Sequence, residues 1–220
     1  NLTAKQVDGI IFMGNQVTDS LRHEFQRSKT PIVLAGSVDP KEEVGSVNID
    51  YVAAIEEAVS TLIKHGNKKI AFVTGNLDDP INGMYRLKGY KQALNKANID
   101  FDANLIFETE YSHKAGEAIW QKVKAAGATA AVVGDDELAI GLVNGATDDG
   151  AKLPNDFEVI TSNDSKLTEI ARPKLSSVTQ PLYDIGAVAM RLLTKMMNKE
   201  EIDNETVLLP YGIVERGTTK

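Results

Sequence analysis

Short apolar runs alternate along the chain with longer segments whose apolar positions recur every three or four residues. Residues 7–13 predict a strand punctuated by Gly14, and Thr18 can cap a helix running to about Ser28. Residues 31–35 and 46–49 are the next apolar runs; Asp50 then caps a helix that stops at Gly66, where glycine easily takes the left-handed conformation. Residues 69–74, rich in β-branched and aromatic side chains, predict another strand. A polar loop with Asn76, Asp78, Asp79 and Pro80 follows. The helix after it starts near Asn82 and carries Leu87, Tyr90, Ala93 and Leu94 at helical spacing. The same rhythm continues. Strands are predicted at 105–108, 130–133 and 158–161, with helices from Ser112 to about Ala125, over 137–148, and in a short turn before Pro173. A last helix runs from Pro181 to about Asn198, ahead of strands around Val207 and Ile213. Strands alternating with helices imply an α/β protein with parallel sheets. In such sheets ligands bind at the carboxyl ends of the strands, so polar residues there are the first candidates.

Composition narrows the function. A net charge of −7 over 220 residues argues against this chain gripping a nucleic-acid backbone by itself. The absence of cysteine excludes disulfides and thiolate-bound metals, and fits a cytoplasmic setting. No apolar run approaches the ~20 residues that span a bilayer. The opening Asn1-Leu2-Thr3-Ala4-Lys5 does not read as a signal peptide.

A search for catalytic constellations finds none. No glycine-rich dinucleotide fingerprint follows a strand, and no phosphate loop or nucleophile elbow occurs. His23, His65 and His113 are well separated, without metal-ligand spacing, and read as structural or solvated. The chain is therefore expected not to be an enzyme, and to hold no metal or cofactor.

Six polar or aromatic residues stand after apolar strands. Arg86 can donate a bidentate fork to hydroxyls or a phosphate, although spacing alone favours a solvated helix charge. Asp135 and Asp136 can do acid/base work, position a sugar hydroxyl or cap a helix, and capping suits at least one of them. Asn163 can hydrogen-bond a ligand without adding charge. Tyr111 can be an aromatic wall or a core residue, and Gln180 a polar contact or a strand terminator.

The helix after Gln180-Pro181 is amphipathic. Leu182, Ile185, Ala189, Leu192, Leu193, Met196 and Met197 gather on one side, and Asp184, Ala187, Val188, Arg191 and Lys195 on the other. Arg191 and Lys195 reach one patch, with Tyr183 at the helix start. The pattern suits a solvated face, or a strip for an acidic or phosphorylated partner.

Four segments carry a resemblance. They are Asp50-Tyr51 leading through Leu62-Ile63 and Gly66 to Lys69-Ile70-Ala71-Phe72-Val73-Thr74-Gly75; Arg86-Leu87-Lys88-Gly89-Tyr90; Ala130-Ala131-Val132-Val133-Gly134-Asp135-Asp136-Glu137-Leu138-Ala139; and Ser177-Val178-Thr179-Gln180-Pro181. In order and wording they resemble the regulatory core of the lactose/galactose repressor (LacI) family, over nearly the whole chain. The resemblance implies two doubly wound parallel-sheet lobes with three crossovers, a periplasmic-binding-protein-like fold. Residues 1–49 with 181–209 would form an amino-proximal lobe, lacking its first strands, that carries the docking helix. Residues 50–180 with 210–220 would form the carboxyl-proximal lobe. The helix-turn-helix headpiece of the family is absent, so DNA would be reached only through that missing part.

It further implies that Arg86 matches the family's ligand-gripping arginine, and that Asp135 stands where an asparagine often faces the ligand. Asn163 stands where an aspartate commonly holds sugar, which weakens the case for a neutral sugar. The carbon-catabolite members of the family receive the phosphocarrier protein HPr, phosphorylated on serine, on the helix after Pro181. Tyr183, Asp184, Val188, Arg191 and Lys195 match that surface. The expected function is thus the corepressor-sensing core of a carbon-catabolite transcription regulator. It would be a cytoplasmic homodimer binding serine-phosphorylated HPr, with a sugar phosphate as adjunct effector. Residues 138–146 and the short helix at 166–171 are candidate contact surfaces between subunits. The alternative is an exported sugar-binding protein of a transport system, which would need a strong sugar pocket and no basic strip.

Overall fold

The apolar runs become two predominantly parallel sheets in a computed structural model that describes residues 6–14 and 17–220. The opening Asn1–Lys5 segment, read above against a signal peptide, lies outside the described residues. In chain order the strands are β1 (Ile10–Phe12), β2 (Ile32–Ala35), β3 (Gly45–Ile49), β4 (Ile70–Thr74), β5 (Ile106–Glu108), β6 (Ala130–Val133), β7 (Glu158–Thr161), β8 (Ser176–Thr179), β9 (Thr206–Leu209) and β10 (Gly212–Val214). The α-helices are α1 (Asp19–Ser28), α2 (Tyr51–Lys64), α3 (Leu87–Lys96), α4 (His113–Ala125), α5 (Asp136–Asp148), α6 (Lys166–Ile170) and α7 (Leu182–Met197). The chain divides into two compact units, Asn1–Asp50 with Pro181–Pro210, and Tyr51–Gln180 with Tyr211–Lys220.

The smaller unit holds a parallel sheet in the order β1-β2-β3-β9. β1 is shorter than the 7–13 run predicts. Its ladder to β2 begins where the Ile10 N–H donates to the Pro31 carbonyl at 2.9 Å. Pro31 has no N–H with which to extend the pairing upstream. α7 packs on β1, β2 and β3 and buries Ile185, Ala189, Leu192 and Leu193. Leu182, expected on that buried face, is 60% exposed. A helical side chain covers the turn N-terminal to its own Cα, so in the first turn Leu182 has no helix beneath it. At the end of β2, the buried Arg22 of α1 pairs with the buried Asp39. Asp39 also accepts from the N–H groups of Lys41 and Glu43 at 3.1 and 3.0 Å. Burial pushes this carboxyl up, but the guanidinium and the two N–H groups outweigh it and hold it below the usual carboxylate range.

The larger unit holds six strands in the order β10-β8-β7-β6-β4-β5, parallel except for β10. Its central strands β4 and β6 are buried on both faces, which is why they read as apolar runs. Ala71, Val73, Ala131, Val133 and Val159 share one core with Leu138 and Leu142 of α5 and Trp120 of α4. On β4 the alternate residue Phe72 instead meets Tyr90 of α3, ring centroids 5.5 Å apart. Tyr90 is fully buried and donates its hydroxyl to the Ile70 carbonyl at 2.7 Å. Tyr90→Phe is expected to cost about 1 kcal/mol, the net worth of one such bond, read as a lower urea midpoint with an unchanged slope.

The 138–146 stripe of small and apolar residues, a candidate subunit contact, is covered within the unit by α4. A Cβ on Gly141 would lie 2.0 Å from the His113 carbonyl oxygen, and one on Gly116 would lie 2.3 Å from that of Leu138. The stripe is there to let two helix backbones touch.

Candidate functional site

Five mutually parallel strands of the larger unit end toward one edge, and one sequence-predicted residue follows each. Arg86 follows β4, Tyr111 follows β5, Asp135 follows β6, Asn163 follows β7 and Gln180 follows β8. Hydrogen bonds join Arg86 with Tyr111 through Asn82, and Asn163 with Gln180, while the Asp135 side chain bonds within its own helix.

The first group forms around Asn82. A helix from about Asn82 was expected; the chain instead takes a π-helical turn over Pro80–Arg86 before α3 begins. Asp79 caps that turn by accepting from the Ile81 N–H at 3.2 Å. Burial pushes the Asp79 carboxyl above its usual range. Nδ2 of Asn82 donates to Asp79 at 2.9 Å, leaving Oδ1 as an acceptor. Three donors converge on that oxygen: Arg86 Nη1 at 3.2 Å, Tyr111 Oη at 2.7 Å and Thr74 Oγ1 at 3.2 Å. Arg86 Nη1 also donates to the Gly134 carbonyl at 3.0 Å, and the guanidinium stands 5.8 Å over the Tyr51 ring. Burial pushes the Tyr51 hydroxyl up to about 12, against the pull of the nearby guanidinium. Arg86 is therefore a buried, anchored cation rather than a solvated helix charge.

The second group forms after β7. Gln180 Nε2 donates to the Ser162 carbonyl at 2.9 Å and to Asn163 Oδ1 at 3.2 Å. Asp136 is buried and accepts from Thr161 Oγ1 at 2.7 Å, the Asn163 N–H at 3.2 Å and the Ser165 N–H at 2.8 Å. Asp135 caps α5 by accepting from the Leu138 N–H at 3.1 Å, and burial pushes its carboxyl up. Of the paired carboxylates one caps and the other stitches the loop that carries Asn163. Asp164 is drawn away to Arg216, 2.8 Å distant.

The sequence pattern marks Asn82 only as a helix start, yet it organises half of this edge. Its spacing of i, i+4 to Arg86, directly after a polar loop, is the signal that could have marked it. Among the described residues, no group of three or more His, Asp or Glu side chains could hold a metal. No helix there is long and apolar enough to cross a membrane.

The docking candidates lie on α7, in the smaller unit. Tyr183 is 88% exposed; Asp184, Arg191 and Lys195 are exposed and Val188 is half-buried. Arg191 and Lys195 stand one turn apart, on a helix whose other side is fixed by Ile185, Ala189 and Leu192.

The chain as a whole is similar to known proteins. A family model described as a periplasmic binding protein-like domain matches residues 59–219. Catabolite control protein A of Streptococcus mutans is 53% identical over 219 residues, which is 100% of this chain and 66% of that protein. The chain thus spans just under two thirds of that relative. The crystal structure of the transcription regulator CcpA of Lactococcus lactis superposes with a TM-score of 0.94 at 46% identity, covering 99% of this chain and 80% of that one. A complex of the transcriptional regulator CelR with cellobiose gives 0.90 at 25% identity, covering 99% of this chain and 67% of that one. These relatives are regulators rather than enzymes or transport proteins. The chain belongs to the LacI family of transcription regulators, in the catabolite control protein A group, and carries the periplasmic-binding-protein-like core of that group.

Proposed function

We propose that this core senses the carbon state of the cell by receiving HPr phosphorylated on serine along α7. The observation that carries the reading is the exposed pair Arg191 and Lys195 one turn apart, flanked by Val188 and the outward Tyr183. Arginine offers a planar fork to a phosphate and lysine adds a point charge. The exposed Tyr183, at the start of the same helix, supplies an aromatic of the kind found at the centre of protein interfaces. The 53% identity to catabolite control protein A supports the same partner.

The protein acts in the cytoplasm as a homodimer, reaching DNA through a headpiece outside this chain. α6 exposes Leu167 and Ile170, at 37% and 69%, and offers an apolar contact between subunits. A partner that binds one arrangement of the dimer better than another shifts the population toward it. Arg86 and its neighbours form the effector site for a sugar phosphate. That a family member was solved in complex with cellobiose supports a ligand of the sugar class.

Titration with phosphorylated and unphosphorylated HPr tests the reading. The phosphorylated form is expected to bind far more tightly. Arg191→Ala should weaken it about tenfold or more, since a hydrogen bond to a charged group contributes roughly 1.5–3 kcal/mol. Lys195→Ala should cost less, and added salt should weaken the complex. Equal affinity for the two forms, or no effect of Arg191→Ala, returns α7 to a solvated face.

A further inference from the structure

We propose that Tyr111 is a gate built into the effector site, closing it to neutral sugars and yielding to anionic ones. The inference rests on reading the carboxyl edge of the larger unit as an effector site.

On sequence alone Tyr111 is either an aromatic wall for a ligand or a core residue. Its position is more intrusive. A Cβ on Gly134 would lie 2.8 Å from the Tyr111 hydroxyl, and one on Gly75 would lie 3.0 Å from its Cζ. The phenol thus rests on the turns that follow β6 and β4, where bare backbone would otherwise admit a ligand. Its hydroxyl bonds Asn82 Oδ1 at 2.7 Å, on the same oxygen that Arg86 holds at 3.2 Å. It stands where a sugar hydroxyl would stand and makes a bond that such a hydroxyl would make.

The latch is also easy to release. An amide oxygen has two lone pairs, and Asn82 Oδ1 already meets three donors. When Tyr111 leaves, Arg86 and Thr74 still satisfy it. The ring is 39% exposed, so it can swing outward without leaving a core cavity. The ligand decides whether the exchange is favourable. A neutral sugar offers one hydroxyl for another and must still displace the ring. A phosphate adds a charge-assisted bond to Arg86, roughly twice the strength of a neutral one. Asp79, a carboxylate of this group, is engaged by Asn82 Nδ2 and the Ile81 N–H.

Calorimetric titration of the intact protein with glucose and glucose 6-phosphate, a pair differing only in the phosphate, tests the gate. Wild type is expected to prefer the phosphate ester by about tenfold or more. Tyr111→Phe removes only the hydroxyl and should tighten glucose roughly two- to tenfold. Tyr111→Ala should tighten glucose further while changing the phosphate ester less. The conservative Phe variant guards against misfolding, checked by an unchanged melting transition. If both variants weaken glucose and glucose 6-phosphate alike, Tyr111 is a stacking wall; the gate fails and the effector site stands. If neither sugar binds wild type or either variant, the effector reading fails and takes the gate with it.

Discussion

Asp136→Ala is expected to lower the stability of the larger unit by about 3–5 kcal/mol, the largest effect of any single change considered. The carboxylate is buried and accepts from the Thr161 hydroxyl and the N–H groups of Asn163 and Ser165. Alanine leaves all three donors without it, and a buried unsatisfied donor costs about 1–3 kcal/mol. Water reaching the half-buried Asn163 and Ser165 reduces the sum. Asp136→Asn keeps one acceptor oxygen but turns the other position into a donor, so it should cost less than alanine. Urea denaturation gives the magnitude. Amide hydrogen exchange gives the place, since the Asn163 and Ser165 N–H groups should exchange faster while those of β4 follow global unfolding. A loss under about 1 kcal/mol would mean that Asp136 does not hold this loop.

Gly141→Ala is expected to destabilise by about 2–3 kcal/mol, although alanine favours a helix over glycine by about 1 kcal/mol. The two effects oppose each other, and distance decides between them. The new Cβ would lie 2.0 Å from the His113 carbonyl oxygen, which is backbone and cannot rotate away. α4 and α5 must move apart, loosening the packing of Trp120, Leu138 and Leu142. The melting temperature should fall by roughly 5–10 °C. Gly145→Ala is the internal comparison, because its Cβ would meet the Trp120 Cβ at 2.9 Å. It should cost less. A stabilised Gly141→Ala would show that the helices do not meet as closely as described.

The fold class was legible because a parallel strand buried on both faces leaves an unbroken apolar run, as in β4 and β6. The end of β6 was legible for the same reason, since Asp135 comes two residues after such a run, whereas Tyr111 and Gln180 follow the partly exposed Ile106–Glu108 and the Ser/Thr-rich Ser176–Thr179. What stayed hidden depends on partners distant in sequence. Asp136 looks like half of an acidic pair until Thr161 and Ser165 arrive beside it. Asn82 looks like a helix start until Tyr111 comes within 2.7 Å. The small-residue stripe of α5 was ambiguous in another way. Close approach to α4 and close approach to a second subunit demand the same residues, and periodicity cannot tell them apart. Leu182 fitted the apolar spacing of α7, but spacing carries no information about where the supporting sheet stops.

The interleaving of the two units has a consequence for biosynthesis. β1, β2 and β3 emerge from the ribosome early, but α7, which packs on them, lies beyond the whole Tyr51–Gln180 block. At typical translation speeds that block takes on the order of ten seconds to make. Through that interval the parallel strands β6, β7 and β8 and their helices are synthesised as one continuous stretch, able to assemble as they appear. The nascent chain thus completes most of its second unit before its first can close. The surface of the β1–β3 sheet that awaits α7 is what a ribosome-associated chaperone would meet.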